Sequence, residues 1–139
     1  MINQVTVFLE NSEGRLAALT QSMAEAGVNM KALSIADTAE YGVVRIICSD
    51  PEAAVAALGA ADYRAMITPV SAVVVSDVAG GLAKLMAIFD EADVDVQYGY
   101  CFSSAAGATA VIKISAADSV AVAEKIAAAG MKVLTQSDL

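Results

Sequence analysis

With 139 residues, 58% of them hydrophobic and two of them Pro, the chain is too apolar for disorder and long enough for one ordinary domain or two small ones. It contains no His, which removes the usual basis of catalytic triads, His-ligated metals and proton shuttles near neutral pH. A formal net charge of -8, with eight Lys and Arg scattered singly, offers no basic stripe to nucleic acid and no attraction to an anionic membrane.

The opening MINQVTVFLENSEGR carries no basic segment, no long apolar run and no small-residue cleavage site, so a cytoplasmic location is expected. Val5, Val7 and Leu9 alternate with Thr6 and Phe8 and predict a strand. After a Gly-containing turn, Leu16, Leu19, Met23 and Ala26 fall on one helical face. The chain re-enters the sheet at Gly27-Val28-Asn29-Met30, and a turn at Glu40-Tyr41-Gly42 leads to a third strand over residues 43–48. Asp50 is placed to cap a second helix with Pro51 at its first position, and a strand over 64–70 closes the half.

From there the pattern returns. Gly14 and Gly80, Leu16 and Leu82, Leu19 and Leu85, Met23 and Phe89, and Val28 and Val94 correspond at a constant offset of about 66 positions, the signature of an internal repeat. Beyond a two-residue insertion the offset becomes about 68, matching Val44-Arg45-Ile46 to Ile112-Lys113-Ile114 and Asp50 to Asp118. The second half thus predicts a strand over 72–75, then a helix with Leu82, Leu85, Met86 and Phe89 on one face. A strand over 94–103 follows, with Val94, Val96, Tyr98, Tyr100 and Phe102 on one side. Its Gln97, Tyr98, Tyr100 and Ser residues make the longest uncharged run too polar to span a membrane. A turn at Ala105-Ala106-Gly107, a strand over 109–114, a helix from Ala117-Asp118 carrying Val122, Ile126 and Ala129, and a strand over 132–136 complete the order.

The order βαββαβ, twice, is α+β: two tandem ferredoxin-like units, each an antiparallel sheet with two helices on one face. The boundary near Thr68-Pro69-Val70 gives domains at 1–70 and 71–139. Each unit has a small core, so pairing of the units and a homodimer are expected. The Ala excess suits short helices sitting close on a sheet.

Candidate chemistry concentrates where the repeat recurs. The first strand-to-helix turn reads Asn11-Ser12-Glu13-Gly14-Arg15-Leu16 in one half and Asp77-Val78-Ala79-Gly80-Gly81-Leu82 in the other. Such a turn presents backbone N–H groups at a helix N-terminus, where a carboxylate is favoured, and Gly allows close approach. The alternative is that Asn11, Ser12 and Asp77 cap helices or shape the turns. Asn29 and Asp95 recur at the start of the second strand, either converging on the turn of a neighbouring unit or facing solvent. Cys48 and Cys101 form no C-x-x-C pair, so no metal or redox motif is present, and two buried, reduced thiols are expected.

Taken together, N/D-x-x-G in the turn, Leu two positions after the Gly, and G-V-N before the next strand resemble the ACT domain, a small ligand-sensing module attached to amino-acid metabolic enzymes. The likeness covers nearly the whole chain as two copies, the second departing with Asp93 for Gly27 and Asp95 for Asn29. The resemblance implies a stand-alone sensor or allosteric regulator that binds a free amino acid between units, needs no cofactor and acts on a partner enzyme of amino-acid metabolism. It implicates Asn11, Ser12, Glu13, Gly14, Arg15 and Leu16 with Asn29 and Met30, and Asp77, Val78, Ala79, Gly80, Gly81 and Leu82 with Asp95 and Val96. The ligand's side chain would lie between the units against Tyr98 or Tyr100, although core packing is the first expectation for both tyrosines.

Two other readings compete. An acylphosphatase-like enzyme shares the topology and needs an Arg in a phosphate-cradling loop near an Asn; Arg15 with Asn11 and Asn29 offers these, but Glu13 in the same turn repels phosphate. A ligand-free interaction module would use the paired sheets to hold a partner enzyme. RNA binding is disfavoured by the acidic balance and by Arg45, Ile46 and Ile47 where paired aromatics would stand.

Overall fold

The computed structural model describes residues 1–10, 12–37 and 41–139, the side chains of Asp37 and Tyr41 apart. The chain divides into a unit of Asn3–Thr68 and a unit of Met1–Ile2 with Pro69–Leu139. The division falls inside a strand: where two strands were expected over 64–70 and 72–75, residues Arg64–Val74 form one, β4.

In the first unit, β1 (Ile2–Glu10), α1 (Arg15–Glu25), β2 (Met30–Asp37), β3 (Tyr41–Cys48) and α2 (Pro51–Ala60) precede the first half of β4. Its sheet is antiparallel in the order β2-β3-β1-β4. Tyr41 and Gly42, expected in a turn, begin β3, and the rest of that turn lies outside the described residues. The period-2 pattern of β1 sends Val5, Val7 and Leu9 into the core with Val44 and Ile46 of β3. Leu19 and Met23 of α1, Ala54 and Leu58 of α2, and Tyr63 close it from the helix side. Across the other face of the sheet, Gln4 Nε2 donates to Thr6 Oγ1 at 2.8 Å, and Thr6 Oγ1 and Thr68 Oγ1 lie 2.8 Å apart. Asp50 caps α2 as expected, accepting from the Ala53 N–H at 2.9 Å, with Pro51 at the first position.

The second unit repeats the plan with the second half of β4, α3 (Gly81–Glu91), β5 (Tyr98–Ser104), β6 (Gly107–Lys113) and α4 (Ser119–Ala128). Here β6 pairs with β4 on one side and β5 on the other. The core matches the first position by position: Val73 stands for Val7, Leu85 for Leu19, Phe89 for Met23, Val122 for Ala54 and Ile126 for Leu58. Burying one such aliphatic side chain contributes about 1.5–3 kcal/mol, so the repeated apolar positions are what holds each unit together.

Four expectations are corrected. The strand over 132–136 is a single bridge, Val133 to Val73, flanked by Val74 N–H to Lys132 C=O and Leu134 N–H to Ala72 C=O, each 2.8 Å. Beyond it the chain turns into a short 3-10 helix, Gln136–Asp138, because Asp138 accepts from the Thr135 N–H and hydroxyl and closes a capping box. Residues 94–97 precede rather than belong to β5, and Val94 and Val96 pack against the second core. Tyr98, Tyr100 and Phe102 stand opposite Lys113, Val111 and Thr109, whereas the core members Ile112 and Ala110 stand opposite Gly99 and Cys101, so the aromatic row faces away from the helices. Finally, Cys48 is buried but Cys101 is exposed, and neither is in a disulfide.

All four helices stop alike, in Schellman motifs whose left-handed residue is Gly27, Asp62, Asp93 or Gly130. The N–H groups of Val28, Tyr63, Val94 and Met131 reach back to the carbonyls of Met23, Leu58, Phe89 and Ile126 at 2.9–3.2 Å. Asp is among the few residues besides Gly that adopt this conformation, which accounts for Asp93 in the place of Gly27. No described helix is long and apolar enough to cross a membrane.

Candidate functional site

Both turns place a left-handed glycine at the N-cap, Gly14 with φ 79° before α1 and Gly80 with φ 87° before α3. A Cβ on either would meet nothing within 4 Å, so the backbone conformation, rather than crowding, requires glycine there. Among the described residues no side chain caps either helix: Ser12 and Asp77 do not cap, and Asn11 lies outside the described residues. The first intrahelical bonds run from the Ala18 N–H to the Gly14 carbonyl and from the Lys84 N–H to the Gly80 carbonyl, 3.0 and 3.1 Å. The amides of Leu16 and Ala17, and of Leu82 and Ala83, come before that first bond.

The two turns diverge in what surrounds them. In the first, Ser12, Glu13 and Gly14 are exposed and Arg15 and Leu16 are half-buried. The Arg15 guanidinium lies 4.5 Å from the centroid of the Tyr63 ring, and Tyr63 Oη donates to the Arg15 carbonyl at 3.1 Å. Arg15 Nε is buried without a hydrogen-bond partner. In the second turn Asp77, Val78, Ala79 and Gly80 are exposed, Leu82 turns outward at 43% exposure, and Gly81 is buried. A Cβ at Gly81 would collide with the Ser76 carbonyl oxygen.

With Gly81 for Arg15 and Met131 for Tyr63, the second unit has a cleft of about 310 Å³ beside the start of α3, bordered by Ser76, Gly81, Lys84, Gly130, Met131 and Lys132. Sequence reasoning missed Tyr63, Lys84 and Lys132. The repeat offset does pair Tyr63 with Met131, but only packing shows that this pair faces the turn.

Asn29 and Met30 lie at the far end of the first unit from its turn. Asn29 exchanges hydrogen bonds with Ser49, its N–H to Ser49 Oγ at 3.3 Å and its carbonyl from the Ser49 N–H at 3.0 Å. Met30 stands opposite Cys48, whereas the turn leaves β1 where Glu10 stands opposite Tyr41. Seven residues of strand separate these points, roughly 23 Å. The second unit repeats this: Gln97, just past Asp95 and Val96, bonds to Lys113, while Val75, just before the turn, bonds to Ala108. The cause is topological, since α1 and α3 carry the chain back across the sheet before the next strand begins. Asp95 is exposed in an open notch with Asp90, Asp93 and Val94, while Met30 and Val96 pack partly on their own cores. Among the described residues no group of three His, Cys, Asp or Glu side chains is arranged to hold a metal.

Residues 1–139 match the family described as an ACT domain pair. Among solved structures, the chain is similar to protein BT0572 from Bacteroides thetaiotaomicron, with 34% identity over 99% of this chain and 94% of that one and a TM-score of 0.89. It is also similar in fold to the ligand-free regulatory subunit of aspartate kinase from Thermus thermophilus, at 16% identity over 91% of each chain and a TM-score of 0.68. The corresponding subunit from Thermus flavus matches at 16% identity over 91% of each chain, with a TM-score of 0.64. No curated protein matches the chain. Its two βαββαβ units, with their recurrent glycine turns, are those of the ACT domain pair family, to which the chain belongs.

Proposed function

We propose that this protein, as ACT domains at 1–70 and 71–139, binds a free amino acid where two units meet and serves as a sensor or regulator of amino-acid metabolism. The observation that carries the reading is the recurrence, in both units, of a left-handed glycine N-cap on a helix whose first turn no described side chain caps. Free amides in that position suit the ligand's carboxylate. Asp77, Glu13 or a strand-start residue from a neighbouring unit, Asn29 or Asp95, would take the ammonium. Because each unit holds its own turn and its own strand start about a strand length apart, the site is completed only by a second unit, within the chain or in a homodimer.

A ligand that bridges two units stabilises one of their arrangements, and a partner enzyme that distinguishes arrangements is thereby regulated. The fold shared with a regulatory subunit of aspartate kinase supports regulation over turnover. The acylphosphatase-like alternative loses ground because the Arg15 guanidinium it would use is stacked on Tyr63.

Calorimetric and thermal-shift screening of the common amino acids tests the proposal. One clear stabiliser is expected, and Gly14→Val or Asn11→Ala should weaken it. Absence of any binder, with both variants indistinguishable from the parent, would refute the reading.

A further inference from the structure

We propose that the cleft beside the start of α3 is an anion site proper to the second unit, taking a small carboxylate or phosphate compound through the ammonium groups of Lys84 and Lys132. The cleft borders the second glycine turn at Gly81, but the inference does not rest on the interface reading above, since it needs no second unit and its two cations are not part of that site.

The internal repeat supplies the comparison. Tyr63 and Met131 are equivalent, each following a left-handed residue and closing a helix through bonds to Leu58 and Ile126. Arg15 and Gly81 are equivalent as the residues after the N-cap glycine. In the first unit a guanidinium and a phenol ring fill this place, stacked at 4.5 Å and tied by the Tyr63 hydroxyl. In the second unit the same place is about 310 Å³ of open space. The gap cannot be closed from position 81, because the Ser76 carbonyl leaves no room for a side chain.

What lines the vacated place is cationic. Lys84 and Lys132 are two of only eight Lys and Arg in a chain of net charge -8, so their meeting at one cleft stands against the overall charge. Lys84 makes no ion pair with a carboxylate among the described residues. Lys132 already holds one, Asp138, at 2.8 Å, which shows that an oxyanion is accommodated at this ammonium. That carboxylate belongs to the terminal 3-10 turn, so Asp138 competes with a bound anion for Lys132. Ammonium groups bind as compact point charges, which suits carboxylate and phosphate alike, so such a cleft would not demand one planar geometry.

The test is titration of the full chain at low ionic strength with inorganic phosphate and, separately, succinate, with glycerol as a neutral control, followed by calorimetry and by amide chemical shifts at Ser76, Gly81, Lys84 and Lys132. Saturable binding of either anion is expected, phosphate alone, succinate alone or both identifying the source of the oxyanion. Lys84→Gln should weaken it about tenfold or more, Asp138→Asn should strengthen it severalfold, and Lys31→Gln, at an exposed cation outside both sites, should leave it unchanged, in line with charge-assisted contacts. Lys84 is exposed, so its replacement leaves the fold intact, as circular dichroism will verify. No saturable binding of either anion, or binding that Lys84→Gln does not alter, overturns the proposal. An amino acid that binds with dependence on Gly14 but not on Lys84 would uphold the interface reading while this one falls.

Discussion

Arg15 and Tyr63, 48 positions apart, hold each other twice: the guanidinium rests on the ring at 4.5 Å, and the phenol hydroxyl donates to the Arg15 carbonyl at 3.1 Å. The pair fastens the start of α1 to the loop between α2 and β4, and so sets the shape of the first glycine turn. The cation–ring contact contributes about 0.5–2 kcal/mol and the hydroxyl bond about 1 kcal/mol. Tyr63→Phe removes only the second and should lower unfolding free energy by about 1 kcal/mol. Tyr63→Leu removes both contacts and reshapes the core. In a double-mutant cycle by urea denaturation, Arg15→Ala should retain its cost when combined with Tyr63→Phe and lose most of it when combined with Tyr63→Leu.

The left-handed aspartates offer an opposite experiment. Asp62 at φ 63° and Asp93 at φ 55° occupy positions that Gly130 and Gly27 occupy in the companion unit. The left-handed conformation costs an ordinary residue about 1–2 kcal/mol, while glycine loses about 0.5–1 kcal/mol more chain entropy on folding. The first outweighs the second, so Asp93→Gly and Asp62→Gly should each stabilise by about 0.5 kcal/mol, whereas Gly27→Ala should destabilise by about 1 kcal/mol. Thermal unfolding of the three variants decides it; a loss of stability in Asp93→Gly would mean that its side chain matters more than its backbone.

Two glycines in corresponding turns should respond differently to alanine. At Gly14 the only penalty is backbone conformation, about 1 kcal/mol, since a Cβ there meets open space. At Gly81 the Cβ drives into the Ser76 carbonyl, so the start of α3 must shift, at a cost of about 2–3 kcal/mol. Denaturation midpoints measured on Gly14→Ala and Gly81→Ala should therefore separate clearly, with Gly81→Ala the less stable.

The cysteines differ in reach and in titration. Cys101 is exposed and should react promptly with a thiol reagent, while Cys48 should react only on unfolding. Burial pushes the Cys48 thiol up from 9.0 to about 11. A raised value in the folded state means that the protonated thiol stabilises fully below pH 9 and that this contribution is lost as pH rises toward 11. Stability of the parent should fall more steeply between pH 9 and 11 than that of Cys48→Ala; equal slopes would contradict the assignment.

The order of elements, the core faces of β1, α1 and α3 and the glycine turns were legible because their signals are local, and the repeat because those signals return at a fixed offset. Alternation marks a strand, a 3.6-residue period marks a helix, and an Asp-Pro pair marks a helix start within a few positions of itself. The closing strand over 132–136 misled for the same reason: its apolar pattern is strand-like, but Asp138 captures Thr135 and the pairing goes no further than the Leu134 N–H. Tyr98 and Tyr100 misled because an apolar strand face does not say which side the helices cover.

The amino-acid sequence by itself thus determined two βαββαβ units and the chemistry available to each turn. Only the tertiary structure decided which side chains meet those turns: Tyr63 beneath Arg15, the Ser76 carbonyl against Gly81, and Lys84 with Lys132 beside the vacated place. It also set Asn29 and Asp95 at the opposite ends of their sheets from the turns. Such meetings join residues as far apart as Arg15 and Tyr63 and depend on how helices settle on a sheet, a packing outcome that no local periodicity encodes.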